Sequence, residues 1–453
     1  MTYQLMAHQQ ETADMFSTTP AVFIQSDPGT GKSLAVLHAW AERRRTGGGR
    51  MLVFAPKTCV QSVWLNEVEK FFPDEFRAGA ALAPNRAPAF HIINDVVATN
   101  HDAVKWLLKQ TPTQQKNLLS GFDTLIWDES DTLRHNSART KAALKLTVRT
   151  QWKYKACLTG TPFNKSVAEL FFQTKFLDGG MRLGASFYKF RSVICEPVQV
   201  GPGINHIQWH DKDDSPGAVA GLIQDITIRH ELDACVEMPD ITHRKIVLEL
   251  PPKLRKAYNA MRDESVLLLK KDEAIALNAA IVTSKLIQLC SGSIYGQKGA
   301  HIIDTGRAEL AIELARESQP TLIFYNFEHQ LASLKVAAAK AGMIQTEING
   351  KVSTENRTKY VELFQCGMTD VMLLQINSAA HGITLTNSHR AVFMSPPYSP
   401  SLYKQAFGRI YRKGQKHKCE VILLAARNTL EQKIVQTLID RRNKQDTLLE
   451  LLT

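Results

Sequence analysis

The stretch Ala21-Val22-Phe23-Ile24-Gln25-Ser26-Asp27-Pro28-Gly29-Thr30-Gly31-Lys32-Ser33-Leu34 decides how the rest of the chain is read. Its first four residues form a short apolar run of the kind seen in buried parallel strands. After the glycines comes a helical pattern with apolar Leu34, Leu37 and Ala41. Gly29 and Gly31 let the loop curl so that backbone N–H groups face a phosphate. Lys32 can then reach the β- and γ-phosphates, and the Ser33 hydroxyl can ligate Mg2+. The positive end of the helix favours the same anion. Ser26 stands where such a loop usually has glycine. A plain glycine-rich turn is the competing reading, and the strand before and helix after argue against it.

Working outward, apolar runs alternate with helical patterns from Ala21 to about Leu158 and again from Thr321 to about Ala425. The first set adds Met51-Leu52-Val53-Phe54, Thr124-Leu125-Ile126-Trp127 and Lys155-Ala156-Cys157-Leu158. The second holds Thr321-Leu322-Ile323-Phe324, Val371-Met372-Leu373-Leu374, Ala391-Val392-Phe393-Met394 and Glu420-Val421-Ile422-Leu423-Leu424. The pattern predicts an α/β chain of two lobes, each a parallel sheet flanked by helices. The N-terminal lobe is expected over residues 1–235 and the C-terminal lobe over 236–453. Residues 179–220, rich in Gly, Pro and aromatics, read as loops over short helices. Residues 253–290 read as helical, with Leu254, Tyr258, Met261, Leu268, Ile281 and Leu289 among many Lys and Glu. That segment is either a solvated protrusion or ordinary packing, and packing is the preferred reading.

The 453 residues are enough for more than one full-sized core. Ordinary apolar and charged fractions exclude wholesale disorder and collagen-like repetition. The net charge of +11 favours a polyanionic partner, although such a surplus often only solubilises. The seven cysteines never form a Cys-x-x-Cys pair, which argues against a disulfide framework or zinc site and for a reducing interior. No signal peptide or membrane span is legible. A soluble intracellular protein without a membrane partner is expected.

Three further stretches carry chemistry. Trp127-Asp128-Glu129-Ser130-Asp131 puts a carboxylate at a strand tip, where Mg2+ is held in phosphate-loop enzymes, and Glu129 beside it can deprotonate an attacking water. Alone, Asp-Glu is usually a solvated pair; downstream of a phosphate loop it gains meaning. Leu158-Thr159-Gly160-Thr161-Pro162 follows the next strand and in isolation reads as a turn. Gln405-Ala406-Phe407-Gly408-Arg409-Ile410-Tyr411-Arg412 sets two arginines three apart on one helical face. They are either a basic surface or groups that neutralise charge on a transferring phosphoryl.

Taken together these residues resemble helicase superfamily two, and within it the Swi/Snf-type DNA translocases. Leu5-x-x-His8-Gln9 is similar to the Q motif, whose glutamine reads adenine. Val53 to Thr58, with Trp64, Glu67 and Phe71, resembles motif Ia, and Val97 to Val104 resembles motif Ib. The run from Asp128 to Ser137, with Lys141 and Leu144, matches motif II and its tail, Asp131 replacing the family's histidine. Ile228-Arg229-His230 resembles the Arg-rich element before the linker. Thr321 to Phe324 with Asn326-Phe327 resembles motif IV. Ile348-Asn349-Gly350, Arg357 and Phe364 match the stretch after it. Gln375 to Leu385 resembles motif V, with Ala379 and Ala380 in place of paired glycines and Gly382 kept. Gln405, Arg409, Arg412, Gly414 and Gln415 reproduce motif VI.

The resemblance implies two tandem RecA-like lobes with ATP and Mg2+ in the cleft between them. It assigns nucleotide binding to His8, Gln9, Asp27, Gly29, Thr30, Gly31, Lys32, Ser33, Gly382, Arg409 and Arg412. Mg2+ falls to Ser33 and Asp128, and catalysis to Lys32, Asp128, Glu129, Arg409 and Arg412. Thr159, Gly160, Thr161 and Gln405 are implied to couple hydrolysis to movement. Pro56, Lys57, Thr58, Asn100, Asn326 and Ser378 are implied to track the backbone of double-stranded DNA without sequence preference. The expected protein is an ATP-driven duplex translocase, a monomer, with any protein partner docking on the lobes. The expected compartment is the cytoplasm of a bacterium or of a virus's host cell, or a eukaryotic nucleus. Two alternatives stand beside it: a strand-separating or annealing DNA or RNA helicase, and an inactive nucleic-acid-binding scaffold.

Overall fold

In the computed structural model the first apolar run is strand β1 (Ala21–Ile24), packed between helix α1 (Ala7–Thr18) and the strands that follow. The structure describes residues 4–149, 151–199, 207–269, 275–296, 299–379, 383–397 and 399–438. The phosphate-loop stretch leads into α2 (Lys32–Arg45). Then come β2 (Arg50–Ala55), β3 (Ala78–Ala81), β4 (Val96–Asn100), β5 (Phe122–Asp128), β6 (Tyr154–Leu158), β7 (Cys195–Gln199), β8 (Ile207–Asp211) and β9 (Thr227–Ile228). Apart from β7 and β8, these strands form one parallel sheet in the order β3-β4-β2-β5-β6-β1-β9.

Successive strand residues face opposite sides of a sheet. Phe23, Leu52, Phe54, Val97, Leu125 and Trp127 therefore join one core. Val22, Ile24, Met51, Val53, Ala98 and Ile126 join the other. Burial on both faces is why the runs are apolar at every position. Trp127 is fully buried and stacks on Phe54 at 5.0 Å and on His101 at 5.1 Å. Its truncation to alanine removes about 3–5 kcal/mol by general experience with aromatic cores. It also unseats Asp128, the next residue.

The chain divides into two compact units, one holding the residues up to Glu237 and the other beginning at Met238. The second unit contains β10 (Ile241–Leu248), β11 (Ser293–Gly296), β12 (Gly299–Ile302), β13 (Thr321–Tyr325), β14 (Gln345–Ile348), β15 (Val371–Gln375), β16 (Arg390–Phe393) and β17 (Cys419–Ala426). Its parallel sheet runs β10-β17-β16-β13-β15-β14. Leu322, Phe324, Leu374 and Phe393 pack on one face, and Ile323, Tyr325, Leu373 and Val392 on the other. Each unit is thus a parallel sheet flanked by helices, the α/β arrangement expected from the sequence.

Of the two segments with a different texture, the first differs from its sequence reading and the second agrees with it. Within 179–220 lie a helix at Phe187–Ile194, the antiparallel pair β7–β8 and a helix at Ser215–Ile223. The paired strands are mostly exposed, so no apolar alternation announced them; residues 200–206 fall outside the described ones. Within 253–290, helices Pro252–Leu269 and Ile275–Cys290 bury Leu254, Tyr258, Leu286 and Leu289 in a small cluster with Ala426, which is packing, while Ile281 is exposed. The antiparallel pair β11–β12 follows.

Candidate functional site

All strands of the first sheet run the same way, so the segments leaving their C-terminal ends collect along one edge, where α/β sheets bind ligands. The loop after β1 bends through Gly29 and Gly31, at φ +96° and +81°, values that favour glycine. A Cβ on Gly31 would also lie 2.2 Å from Gln9 Nε2. Gln9 donates to the Thr30 carbonyl at 3.1 Å, and His8 Nε2 meets the same oxygen at 2.8 Å. Gln9 Oε1 accepts from Met6 N–H at 3.1 Å. The Gln9 amide is thereby committed to the loop and to its own helix start. Lys32 Nζ donates to the carbonyls of Ser26 at 2.7 Å and Asp27 at 3.0 Å. Ser33 is half-buried at the start of α2. The serine in place of glycine has a use: Ser26 Oγ accepts from His230 N–H at 3.0 Å.

Asp128 ends β5 with its carboxylate nearly buried. Oδ2 accepts from the Trp64 indole at 2.9 Å and Oδ1 from Glu129 N–H at 3.0 Å. Burial, then the charge of Glu129, pushes the Asp128 carboxyl up to about 6, and the Trp64 bond and Lys32 charge oppose this. Lys32 and Asp128 are thus electrostatic neighbours, as a phosphate loop and its acid must be. Glu129 has φ +51° and ψ 60°, a left-handed conformation that costs a non-glycine residue about 1–3 kcal/mol. Its Oε2 is buried without a hydrogen-bond partner. A strained carboxylate with an open oxygen is suited to accept a proton. Hard oxygen donors at Asp128 and Ser33 fit Mg2+, which keeps several waters and needs few protein ligands.

Thr159, Gly160 and Thr161 leave β6 beside this loop. A Cβ on Gly160 would lie 2.6 Å from Pro28 Cδ, so glycine here allows close approach to the phosphate loop. Thr161 N–H donates to Thr159 Oγ1 at 3.1 Å. Buried Arg134 donates to the Thr161 carbonyl and, at 3.3 Å, to that of Pro162. It also pairs with Asp131 at 3.8 Å and Glu169 at 3.5 Å. Asp131, where the resemblance implies histidine, is thus drawn into the link between the Asp-Glu segment and Thr159–Pro162 through Arg134. Burial raises the Asp131 carboxyl to about 7, and Arg134 opposes the shift.

Pro56, Lys57 and Thr58 follow β2, and Asn100 ends its neighbour β4, with Ala55 opposite Asn100. Lys57 is exposed, while Asn100 Oδ1 accepts from Arg86 at 3.0 Å. In the second unit Asn326 and Ser378 lie just beyond the ends of adjacent β13 and β15. Asn326 Nδ2 donates to Pro396 O at 3.4 Å, and Ser378 Oγ to Gln375 Oε1 at 3.0 Å. Gly382 and Ala380 lie outside the described residues.

The arginine pair requires a correction. The helix at Pro400–Phe407 contains buried Gln405 but ends before both arginines, which sit in the turns beyond Gly408 rather than on a helical face. Both still point one way: Arg409 Nη1 and Arg412 Nη1 donate to the Ile383 carbonyl at 2.9 and 3.2 Å. Leu385 N–H returns a bond to Arg409 O at 2.9 Å. Tertiary bonds to residues 383–385 hold the turn that a continued helix would have forbidden.

Nothing local in the sequence marks the Trp64 bond to Asp128 or the Arg134 bonds to Thr161 and Pro162, because the partners are far apart along the chain.

Comparison with known proteins gives a consistent result. The SNF2-related domain family matches residues 8–291, and the helicase conserved C-terminal domain matches residues 306–414. Protein p41 of Acyrthosiphon pisum secondary endosymbiont phage 1 is 28% identical over 448 residues, covering 94% of this chain and 93% of its own. YwqA of Bacillus subtilis (strain 168), whose name describes an ATP-dependent helicase/translocase, is 21% identical over 94% of this chain. The chain spans only 46% of YwqA. A solved Sulfolobus solfataricus SWI2/SNF2 ATPase core in complex with dsDNA aligns with 98% of this chain and 92% of its own, at 22% identity and a TM-score of 0.45.

Proposed function

Because the chain belongs to the SNF2-related family of helicase-like proteins and is an ATP hydrolase, we propose that it spends ATP to translocate along double-stranded DNA. The observation that carries the ATP half is the gathering of Lys32, Asp128 and Glu129 at one sheet edge, with the Glu129 carboxylate open at Oε2. In this reading the Gly29–Gly31 loop and Lys32 hold the phosphates. Ser33 and Asp128 hold Mg2+, which would neutralise phosphate charge. Glu129 accepts the proton of a water whose oxygen bonds to the γ-phosphorus as the β–γ bridge breaks. Arg409 and Arg412 are the cations that offset charge on the transferring group.

The DNA half is supported by the +11 charge and by exposed Lys57 at the same edge. Contacts of this kind address phosphates and carry no sequence information. ATP turnover should rise most with duplex DNA, and the protein should displace a third strand from a triplex. Lys57→Ala should lower DNA stimulation more than basal turnover. Greater stimulation by single-stranded RNA overturns the duplex reading. The name of YwqA keeps strand separation as the second reading, and clean unwinding of a forked duplex would establish it. Lys32→Ala should abolish turnover, and Glu129→Gln should retain nucleotide while stopping hydrolysis; normal turnover by Glu129→Gln removes it as the base.

A further inference from the structure

His101 follows β4 and is almost wholly buried. Its ring stacks on that of Trp127, with centroids 5.1 Å apart and planes 18° from parallel. Phe54 of β2 stacks on Trp127 as well, at 5.0 Å. The sheet order puts β2 between β4 and β5, so the imidazole reaches past the end of one strand to the tip of the next but one. There Nε2 lies 2.7 Å from the carbonyl oxygen of Asp128. A carbonyl can only accept, so Nε2 carries a proton and donates it to the bond. A buried histidine beside a tryptophan is usually packing with a satisfied donor. The identity of the acceptor sets this one apart.

The Asp128 carbonyl belongs to the peptide that joins Asp128 to Glu129. At the other end of that peptide, Glu129 N–H donates to Asp128 Oδ1 at 3.0 Å. A peptide unit is planar, so holding its oxygen and its N–H together fixes its orientation. Glu129 leaves this unit at φ +51°, a conformation that a residue with a side chain keeps only where its surroundings impose it. The direction of the Glu129 side chain follows from that backbone angle. The imidazole that fixes the peptide therefore also fixes where the buried, unpartnered Oε2 lies. His101 is itself held from both sides along the chain: Asn100 accepts from Arg86 at 3.0 Å, and Asp102 pairs with Arg139 at 3.1 Å.

We propose that His101 is a positioning residue for ATP hydrolysis, clamping the Asp128-Glu129 peptide so that the Glu129 carboxylate keeps its aim at the attacking water. It acts through Glu129, and the inference rests on the reading of Glu129 as the base. Three variants of the full chain test it: His101→Gln, His101→Asn and His101→Phe. The Gln amide nitrogen stands as many bonds from the backbone as Nε2, whereas that of Asn stops one atom short, and Phe keeps a ring without a donor. Misplacing a reacting group by about 1 Å can cost about 10²-fold in rate. In His101→Asn and His101→Phe, kcat should fall about tenfold or more while KM and Kd for ATP stay within about threefold, the pattern of a contact that matters only in the transition state. His101→Gln should recover most of that loss, although it lacks the stacked ring as His101→Asn does. Equal kcat in His101→Gln and His101→Asn overturns the inference and leaves His101 as packing, as does a loss confined to KM. This comparison sets two amides of like polarity side by side, so it decides the matter even where the Phe variant does not fold. Glu129→Gln separates the two layers: full turnover there strikes the base itself, whereas an inactive Glu129→Gln beside an unchanged kcat in His101→Asn strikes His101 alone.

Discussion

Trp64 donates its indole N–H to Asp128 Oδ2 across 2.9 Å, so the helical segment after β2 holds the carboxylate that ends β5. Trp64 is fully buried. Trp64→Phe keeps an aromatic ring but removes both the donor to a buried carboxylate and part of the buried indole volume. Unfolding in urea should show a loss of about 1–3 kcal/mol, and ATP turnover should fall. A variant unchanged in both measurements would show that the bond positions nothing.

Gly31 is constrained twice, by φ +81° and by Gln9 Nε2 at 2.2 Å from any added Cβ. Gly31→Ala should raise the Kd for ATP at least tenfold by opening the loop and pushing Gln9 off Thr30. Backbone strain of about 1–2 kcal/mol accompanies it. Isothermal titration with ATP reads the effect, and unaltered affinity would mean the loop adapts freely.

Truncating Arg409 or Arg412 should lower kcat by about 10³-fold, the scale known for arginines that offset phosphoryl charge. Arg409 is buried and bonded to the Gln405 and Ile383 carbonyls, so Arg409→Ala should also lower the melting temperature. Arg412→Ala should do so less, since Arg412 is only half-buried. A drop below tenfold in both returns the pair to a structural role.

His329 is buried with Nε2 2.9 Å from Ser291 Oγ. Burial and, less strongly, the Arg307 charge hold its imidazole down to about 4, against the pull of Ser291. The folded value lies below the unfolded one of about 6.5, so as pH falls the unfolded chain takes up the proton first. Stability from this group is complete above pH 6.5 and is lost between 6.5 and 4. From pH 7 to 5 the loss is about 2 kcal/mol. Urea unfolding at both pH values should show a smaller loss for His329→Gln, and an equal loss would assign the acid sensitivity elsewhere.

The strands and the phosphate loop were legible because their signals are local. Four apolar residues in a row, two glycines and a lysine specify conformation within about a dozen residues, and a strand buried on both faces advertises itself at every position. Where burial is slight, as in β7–β8, that signal vanishes. What the sequence could not contain is which ends lie side by side. Strand β1 sits between β6 and β9, and β2 between β4 and β5, an order chain position does not reveal. That order alone brings Trp64 to Asp128, Gly160 to Pro28 and the Ile228–His230 segment to Ser26. It also brings His101 to the Asp128 carbonyl, and tertiary bonds to Ile383 draw Arg409 and Arg412 off the helix their spacing implied. Residue type and spacing determined which chemistry the chain carries; the packing of distant segments, whose contacts outweigh local preference, decided which groups meet.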